Sequence, residues 1–173
     1  MKSTQTVDLS GNGRKKIMYE IFCDGATSGN GKADAPGGWA YVILKDGRLV
    51  SQNSGGEKGT TNQRMELTAA LMACKEIDAM DGFATVKLYS DSAYLINCFK
   101  QNWWKAWRAN GWKNSKKEPV ANQDLWEAII PFFMKAPGYN FIKVRGHQGV
   151  ESAQGYWNDY VDKLAVTAKV SIQ

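Results

Sequence analysis

Two aspartates stand where β-rich runs stop. Lys16-Ile-Met-Tyr-Glu-Ile-Phe-Cys-Asp24 leads into a glycine-studded stretch, Gly25 to Gly38, and the run Ala84 to Ser90 is closed by Asp91. Acids at strand ends collect at the C-terminal edge of a sheet, where open α/β sheets bind ligands. Either aspartate alone reads equally well as a turn or helix cap, but the pairing of Asp24-Gly with Ser90-Asp91-Ser92 points to shared chemistry. A third carboxylate, Glu66, lies on the flank of a helix whose core stripe is Leu67, Ala70, Leu71, Cys74 and Ile77. A carboxylate beside a core stripe costs desolvation, which a pair with Arg64, the helix dipole or a metal ion would offset. The last helix holds two more acids beside the stripe Trp157, Val161, Leu164, Ala165 and Ala168. At roughly 100° per residue Asp159 falls nearly opposite that stripe, whereas Asp162 lies on its boundary and is the better functional candidate. The one histidine, His147, sits in the glycine-flexed Arg145-Gly-His-Gln-Gly149, after the last strand and before Asp162.

The elements that must position these groups follow from periodicity. Gly38 to Lys45 and Arg48 to Ser54 read as strands joined by Asp46-Gly47, a strong hairpin signal. Thr61 or Asn62 caps a helix to about Met80, Ala84 to Ser90 is a strand, and Ser92 to Cys98 is helix-compatible. Asn122 caps a helix through about Lys135, Tyr139 to Arg145 is the last strand, and Tyr156 to about Lys169 the closing helix. Three strands followed by alternating helix and strand give a mixed sheet with helices on its faces.

Composition sets the class. At 173 residues, 43% apolar and 23% charged, the chain is an ordinary globular domain with room for a packed core, and no apolar run reaches the ~18 residues of a membrane span. Residues 1–16 read as a loose polar tail without a signal-peptide core, and 17–173 as one domain, with the cytoplasm as the expected compartment. Cys23, Cys74 and Cys98 fit neither a disulfide framework nor a metal knuckle and read as buried free thiols. The net charge is +5, and the stretch from Lys100 to Lys117 accounts for all of that excess: Lys100, Lys105, Arg108, Lys113, Lys116 and Lys117, with no acid. Such a segment is a docking surface for a polyanion.

Taken together, four stretches resemble the acidic motifs of the type 1 ribonuclease H family in order. They are Asp24-Gly-Ala-Thr-Ser-Gly-Asn30, Thr60-Thr-Asn-Gln-Arg-Met-Glu66-Leu, Tyr89-Ser-Asp91-Ser-Ala-Tyr94 and Asn158-Asp-Tyr-Val-Asp162-Lys-Leu-Ala165. The resemblance runs from about residue 19 to 168. It implies an α/β fold of the ribonuclease H type, a five-stranded mixed sheet of order 3-2-1-4-5 flanked by helices, with a basic helical protrusion at about 100–121. It implies an endoribonuclease that hydrolyses the RNA strand of RNA/DNA hybrids and leaves 5′-phosphate and 3′-hydroxyl ends.

The four acids would repel one another and need divalent cations to settle. An all-oxygen donor set favours Mg²⁺, with Mn²⁺ as substitute, over Zn²⁺. Two such ions roughly 3.5–4 Å apart are the expected catalytic pair. As the likeness has it, Asp24 and Asp91 touch both ions and the nucleic acid. Glu66 lies near the 2′-hydroxyl and one ion, and Asp162 completes the shell of the second. His147 matches the family's mobile catalytic histidine, a proton shuttle or product-release aid rather than a ligand, although the stretch Gly149 to Trp157 is longer than the family pattern. Asn30, Asn62 and Gln63 fall where members contact the minor groove, and Thr61 and Arg64 where they hold a DNA-strand phosphate. Thr61 and Asn62 also read as plain helix caps.

The basic segment resembles the family's protrusion through Gly111-Trp112-Lys113, Lys116-Lys117, Pro119-Val120 and Asn122-Gln-Asp-Leu-Trp126. Trp103 and Trp107 share one helical face, to support bases or to pin the segment to the body. Arg108, Trp112, Lys113, Lys116 and Lys117 would meet the phosphates. Ala109 and Asn110 stand where further cations are common. The hybrid would be read through groove shape and the 2′-hydroxyl, without sequence specificity, by a monomer with no membrane partner. Competing readings are a non-catalytic nucleic-acid binding module on the same fold, and a polymerase-linked or structure-selective nuclease domain; Met1 with no polymerase ahead of it reads as an independent protein.

Overall fold

A computed structural model describes residues 17–135, 138–145 and 151–173. The strands are β1 (Met18–Thr27), β2 (Pro36–Lys45), β3 (Arg48–Lys58), β4 (Thr85–Ser90) and β5 (Tyr139–Lys143). The helices are α1 (Asn62–Met80), α2 (Ala93–Lys100), α3 (Trp103–Ala109), α4 (Gln123–Met134) and α5 (Ala153–Ser171). The strands form one sheet of order β3-β2-β1-β4-β5, antiparallel among the first three and parallel from β1 through β4 to β5. This is the order that the family likeness implies.

Side chains alternate across a strand, so β1 feeds two cores. Ile21 and Cys23 face α1 and join the larger cluster with Leu67, Cys74, Leu88 and Trp126. Phe22 faces the other way, onto Val42, Tyr89, Val161 and Ala165 under α5. Burial on both faces explains why the run reads as continuously apolar rather than alternating. All three cysteines are buried free thiols.

Several boundaries move. β1 continues past Asp24 to Thr27, because Gly25, Ala26 and Thr27 pair with Trp39, Gly38 and Gly37 of β2. Asp24 therefore lies within a strand rather than closing one. β3 runs on to Lys58, and α5 starts at Ala153, capped by Ser152 Oγ accepting from Gly155 N at 2.9 Å. The β2–β3 connection is the expected hairpin, with Asp46 and Gly47 both left-handed (φ 50° and 79°). Thr61 caps α1, its Oγ1 accepting from Arg64 N at 3.1 Å. Asn122 does not cap α4 through its side chain. Its backbone is left-handed and its amide is turned to Arg64 and Tyr94 instead.

One glycine sets the spacing at the sheet end. A Cβ on Gly25 would lie 2.5 Å from Glu66 N and 2.7 Å from Met65 Cβ. Only a residue without a side chain lets α1 lie this close to β1.

The basic segment stands on α3 and a loop. The Trp107 ring packs against Trp103, Trp112 and Trp126, with centroids 6.4, 5.8 and 5.7 Å away. Beyond α3 the loop is tied by Asn110 and Asn114, which accept from Lys113 N, Lys116 N and Glu118 N, and by a bridge between Lys113 and Pro119.

Candidate active site

The parallel register of β1 and β4 brings the two strand aspartates together. Phe22 pairs with Tyr89, their rings stacked at 4.7 Å. Two residues further along each chain come Asp24 and Asp91, so neighbouring strands deliver both acids to one place. Glu66 enters from the first turns of α1, whose approach Gly25 permits. One carboxylate oxygen from each of Asp24, Glu66 and Asp91 lies within 4.8 Å of the others. Asp162 comes from α5 on the far side of the sheet, stands beside Asp24 and shares a hydrogen bond with it. Asp159, three residues earlier, instead pairs with Lys163 at 2.9 Å.

The electrostatics of the cluster are those of uncompensated charge. Asp24 is 4% exposed, and burial pushes its carboxyl up to about 9, helped by the charge of Asp91 and by the bond and charge of Asp162. The Gly25 N–H, donating to Asp24 Oδ1 at 2.9 Å, works in the opposite direction. Burial lifts Glu66 to about 7; hydrogen bonds from Ser92 and from Asn62, whose Nδ2 lies 3.1 Å from Oε1, hold it down, while Asp91 raises it. The buried Cys23 thiol behind the cluster is driven up by burial first, then by Cys74 and the three acids, so it is no nucleophile at neutral pH. Glu66 is not paired with Arg64, as one reading of the sequence allowed. A compact set of hard oxygen donors that resists holding its own negative charge fits a divalent cation.

Asn62 and Ser92 act on Glu66 from two sides. Ser92 also caps α2, accepting from Leu95 N at 3.1 Å, and its own N–H donates to Ser90 Oγ. Its cap role is readable from sequence, but its contact with Glu66 is not, since that depends on how α1 and α2 meet. Asn30 is exposed, and its Oδ1 accepts from Asn62 N at 2.7 Å, tying the β1–β2 loop to the start of α1. Gln63 is exposed beside them.

Arg64 faces carboxylates. It makes two bonds to Asp124, at 3.2 and 2.8 Å, and its Nε lies 3.5 Å from Glu57. The Trp103, Trp107 and Trp112 rings are half-buried against the core, so they anchor the protrusion. Arg108 lies over the Trp104 ring at 5.1 Å. Lys113, Lys116 and Lys117 are exposed. His147 lies outside the described residues.

The sequence model of the RNase H family matches residues 16–169. A ribonuclease H of Syntrophomonas wolfei is 46% identical over 152 residues, covering 88% of this chain and 96% of the relative. One from Symbiobacterium thermophilum is 44% identical, covering 86% and 92%. Among solved structures, a type 1 RNase H with the type 2 active-site motif superposes with a TM-score of 0.76 at 25% identity, over 92% of this chain and 75% of the other. An RNase H1 solved in complex with an RNA/DNA hybrid shares the fold, with a TM-score of 0.65 at 19% identity, over 90% of this chain and 98% of the other.

Proposed function

The chain belongs to the ribonuclease H family, and from that premise we propose that it cuts the RNA strand of RNA/DNA hybrids with two Mg²⁺ ions, leaving 5′-phosphate and 3′-hydroxyl ends. The observation that carries this reading is the convergence of Asp24, Glu66 and Asp91 within 4.8 Å, with Asp162 hydrogen-bonded to Asp24. Among the described residues no helix is long and apolar enough to cross a membrane. We place the enzyme in the cytoplasm, with 17–173 as one catalytic domain acting as a monomer.

Asp24 and Asp91 would hold both ions, Glu66 one and Asp162 the other; Mn²⁺ suits the same oxygens. When bound, the ions supply Lewis acidity to the attacking water and to the leaving 3′ oxygen. The protein's own task is to keep the carboxylates in position and ready to give up protons. The Asp24 carboxyl, raised by burial to about 9, would have to give up its proton to serve as a cation ligand. Asn62 and Ser92 fix the Glu66 carboxylate. His147 is assigned to proton transfer or product release.

Asn62, bonded to both Asn30 and Glu66, would meet the minor groove together with Asn30 and Gln63, where the 2′-hydroxyl separates RNA from DNA. Thr61 and Arg64 would seat a DNA-strand phosphate. Trp103, Trp107 and Trp112 hold the protrusion so that Arg108, Lys113, Lys116 and Lys117 approach the backbone, a contact that weakens with salt. The test is cleavage of a labelled hybrid with Mg²⁺, beside the matching RNA and DNA duplexes, with the product ends analysed. Cleavage confined to the RNA of the hybrid, with 5′-phosphate ends, is expected. A folded, metal-loaded sample that leaves the hybrid intact refutes the proposal.

A further inference from the structure

We infer that Glu57 occupies the phosphate seat of Arg64 and thereby sets how tightly the enzyme holds the DNA strand of its substrate; the assignment rests on the hybrid substrate proposed above. A guanidinium presents five N–H donors in a planar fork. On Arg64 the end of that fork is filled. Nη1 donates to Asp124 Oδ1 at 3.2 Å and to Asn122 Oδ1 at 3.4 Å, and Nη2 donates to Asp124 Oδ2 at 2.8 Å. What remains for an incoming anion is the side of the fork, formed by Nε and the second Nη2 hydrogen. Glu57 Oε1 faces that side, 3.5 Å from Nε.

The two carboxylates are not equivalent. Asp124 is bidentate, the geometry that orients an arginine. It sits in the first turn of α4, where Asn122 adds a third bond to the same guanidinium. Glu57 comes from the edge strand β3, makes one long contact, and has a side chain 45% exposed. It can therefore swing away. A phosphate takes the same side-on geometry as a carboxylate, so Glu57 must leave before the strand is seated. Asp124 and Asn122 aim Arg64, and Glu57 competes with the substrate for it.

The test is hybrid binding by fluorescence anisotropy at about 0.1 M salt, with every variant built on Asp91→Asn so that nothing is cut. Glu57→Gln keeps shape and removes the charge. It is expected to tighten binding roughly two- to fivefold, the range open to an exposed charge contact, and the gain should shrink as salt rises. In the double variant Arg64→Gln/Glu57→Gln the gain should vanish, since no seat is left to free. Binding that is unchanged or weaker in Glu57→Gln overturns the assignment, the weaker result marking Glu57 as a support of Arg64. An undiminished gain without Arg64 also overturns it, because that is only a general loss of negative charge. If the Asp91→Asn parent does not bind hybrid at all, the proposed function falls and this assignment with it; if the parent binds and Glu57→Gln has no effect, only the assignment falls.

Discussion

Replacing the buried Asp24 carboxyl with an amide that has no proton to lose should make the metal-free protein more stable, in a way that depends on pH. Asp24 is 4% exposed and its carboxyl is pushed to about 9 from the ordinary 3.8. A carboxyl raised in the folded state lends stability that is complete below about pH 4 and is lost as pH climbs towards 9, because the unfolded chain gives up the proton first. Each pH unit inside that window costs about 1.4 kcal/mol, so the rise from pH 5 to 8 removes about 4 kcal/mol from the parent. Glu66, raised to about 7 from 4.5, adds a loss of the same sign at the lower end of the window. Asp24→Asn is nearly isosteric, keeps a donor for Asp162 and has no proton to lose. At pH 8 in EDTA it should exceed the parent by about 2–4 kcal/mol, roughly 5–12 °C in Tm for a chain of this size. The two should melt close together at pH 4.5. Saturating Mg²⁺ should narrow the gap at pH 8, since only the parent gains from binding. Thermal melts followed by circular dichroism decide the matter. A gain equal at both pH values, or a variant less stable at pH 8, refutes the electrostatic reasoning.

Three further outcomes follow from the same geometry. Asp162→Asn should abolish hybrid cleavage while Asp159→Asn, which loses only an exposed pair with Lys163, keeps most of it; steady-state rates in Mg²⁺ that rank the other way would mean the wrong acid has been placed at the site. Gly25→Ala forces a methyl to within 2.5 Å of the α1 backbone, so it should lower stability by about 1–3 kcal/mol in urea melts. It should also reduce kcat by roughly 100-fold through displacement of Glu66, and retention of full activity would show that this close approach is dispensable. The Mg²⁺ concentration for half-maximal activity should fall as pH rises from 6 to 9, because protons on Glu66 (about 7) and Asp24 (about 9) compete with the ion; a requirement independent of pH contradicts this.

The parts of the fold that repeat a simple pattern were legible in the chain. Ile21-Phe-Cys23 announces a strand buried on both faces, Asp46-Gly47 a tight hairpin, and the spacing of Val161, Ala165 and Ala168 the buried side of α5. The same spacing separated Asp162 from Asp159. What escaped depends on contacts between distant elements. The end of β3, Ser54-Gly-Gly-Glu-Lys58, is polar and glycine-containing because it lies at a sheet edge, and only pairing with β2 makes it a strand. Asn122 has the residue type of a cap, yet its amide serves Arg64 and Tyr94. The hold of Ser92 on Glu66 and of Asp124 on Arg64 joins residues 26 and 60 positions apart, and that of Glu57 on Arg64 crosses from the edge strand to the first turn of α1, so none follows from a local rule.

The account turns on the acids of β1, α1, β4 and α5 forming one cation site, and calorimetric titration of the metal-free protein with Mn²⁺ at pH 7.5 reaches that claim without substrate. Saturable binding of two ions with release of protons to the buffer, reduced to one weak site or none in Asp91→Asn, is the predicted result. Binding that is absent in the parent, or that Asp91→Asn leaves unaltered, would contradict it.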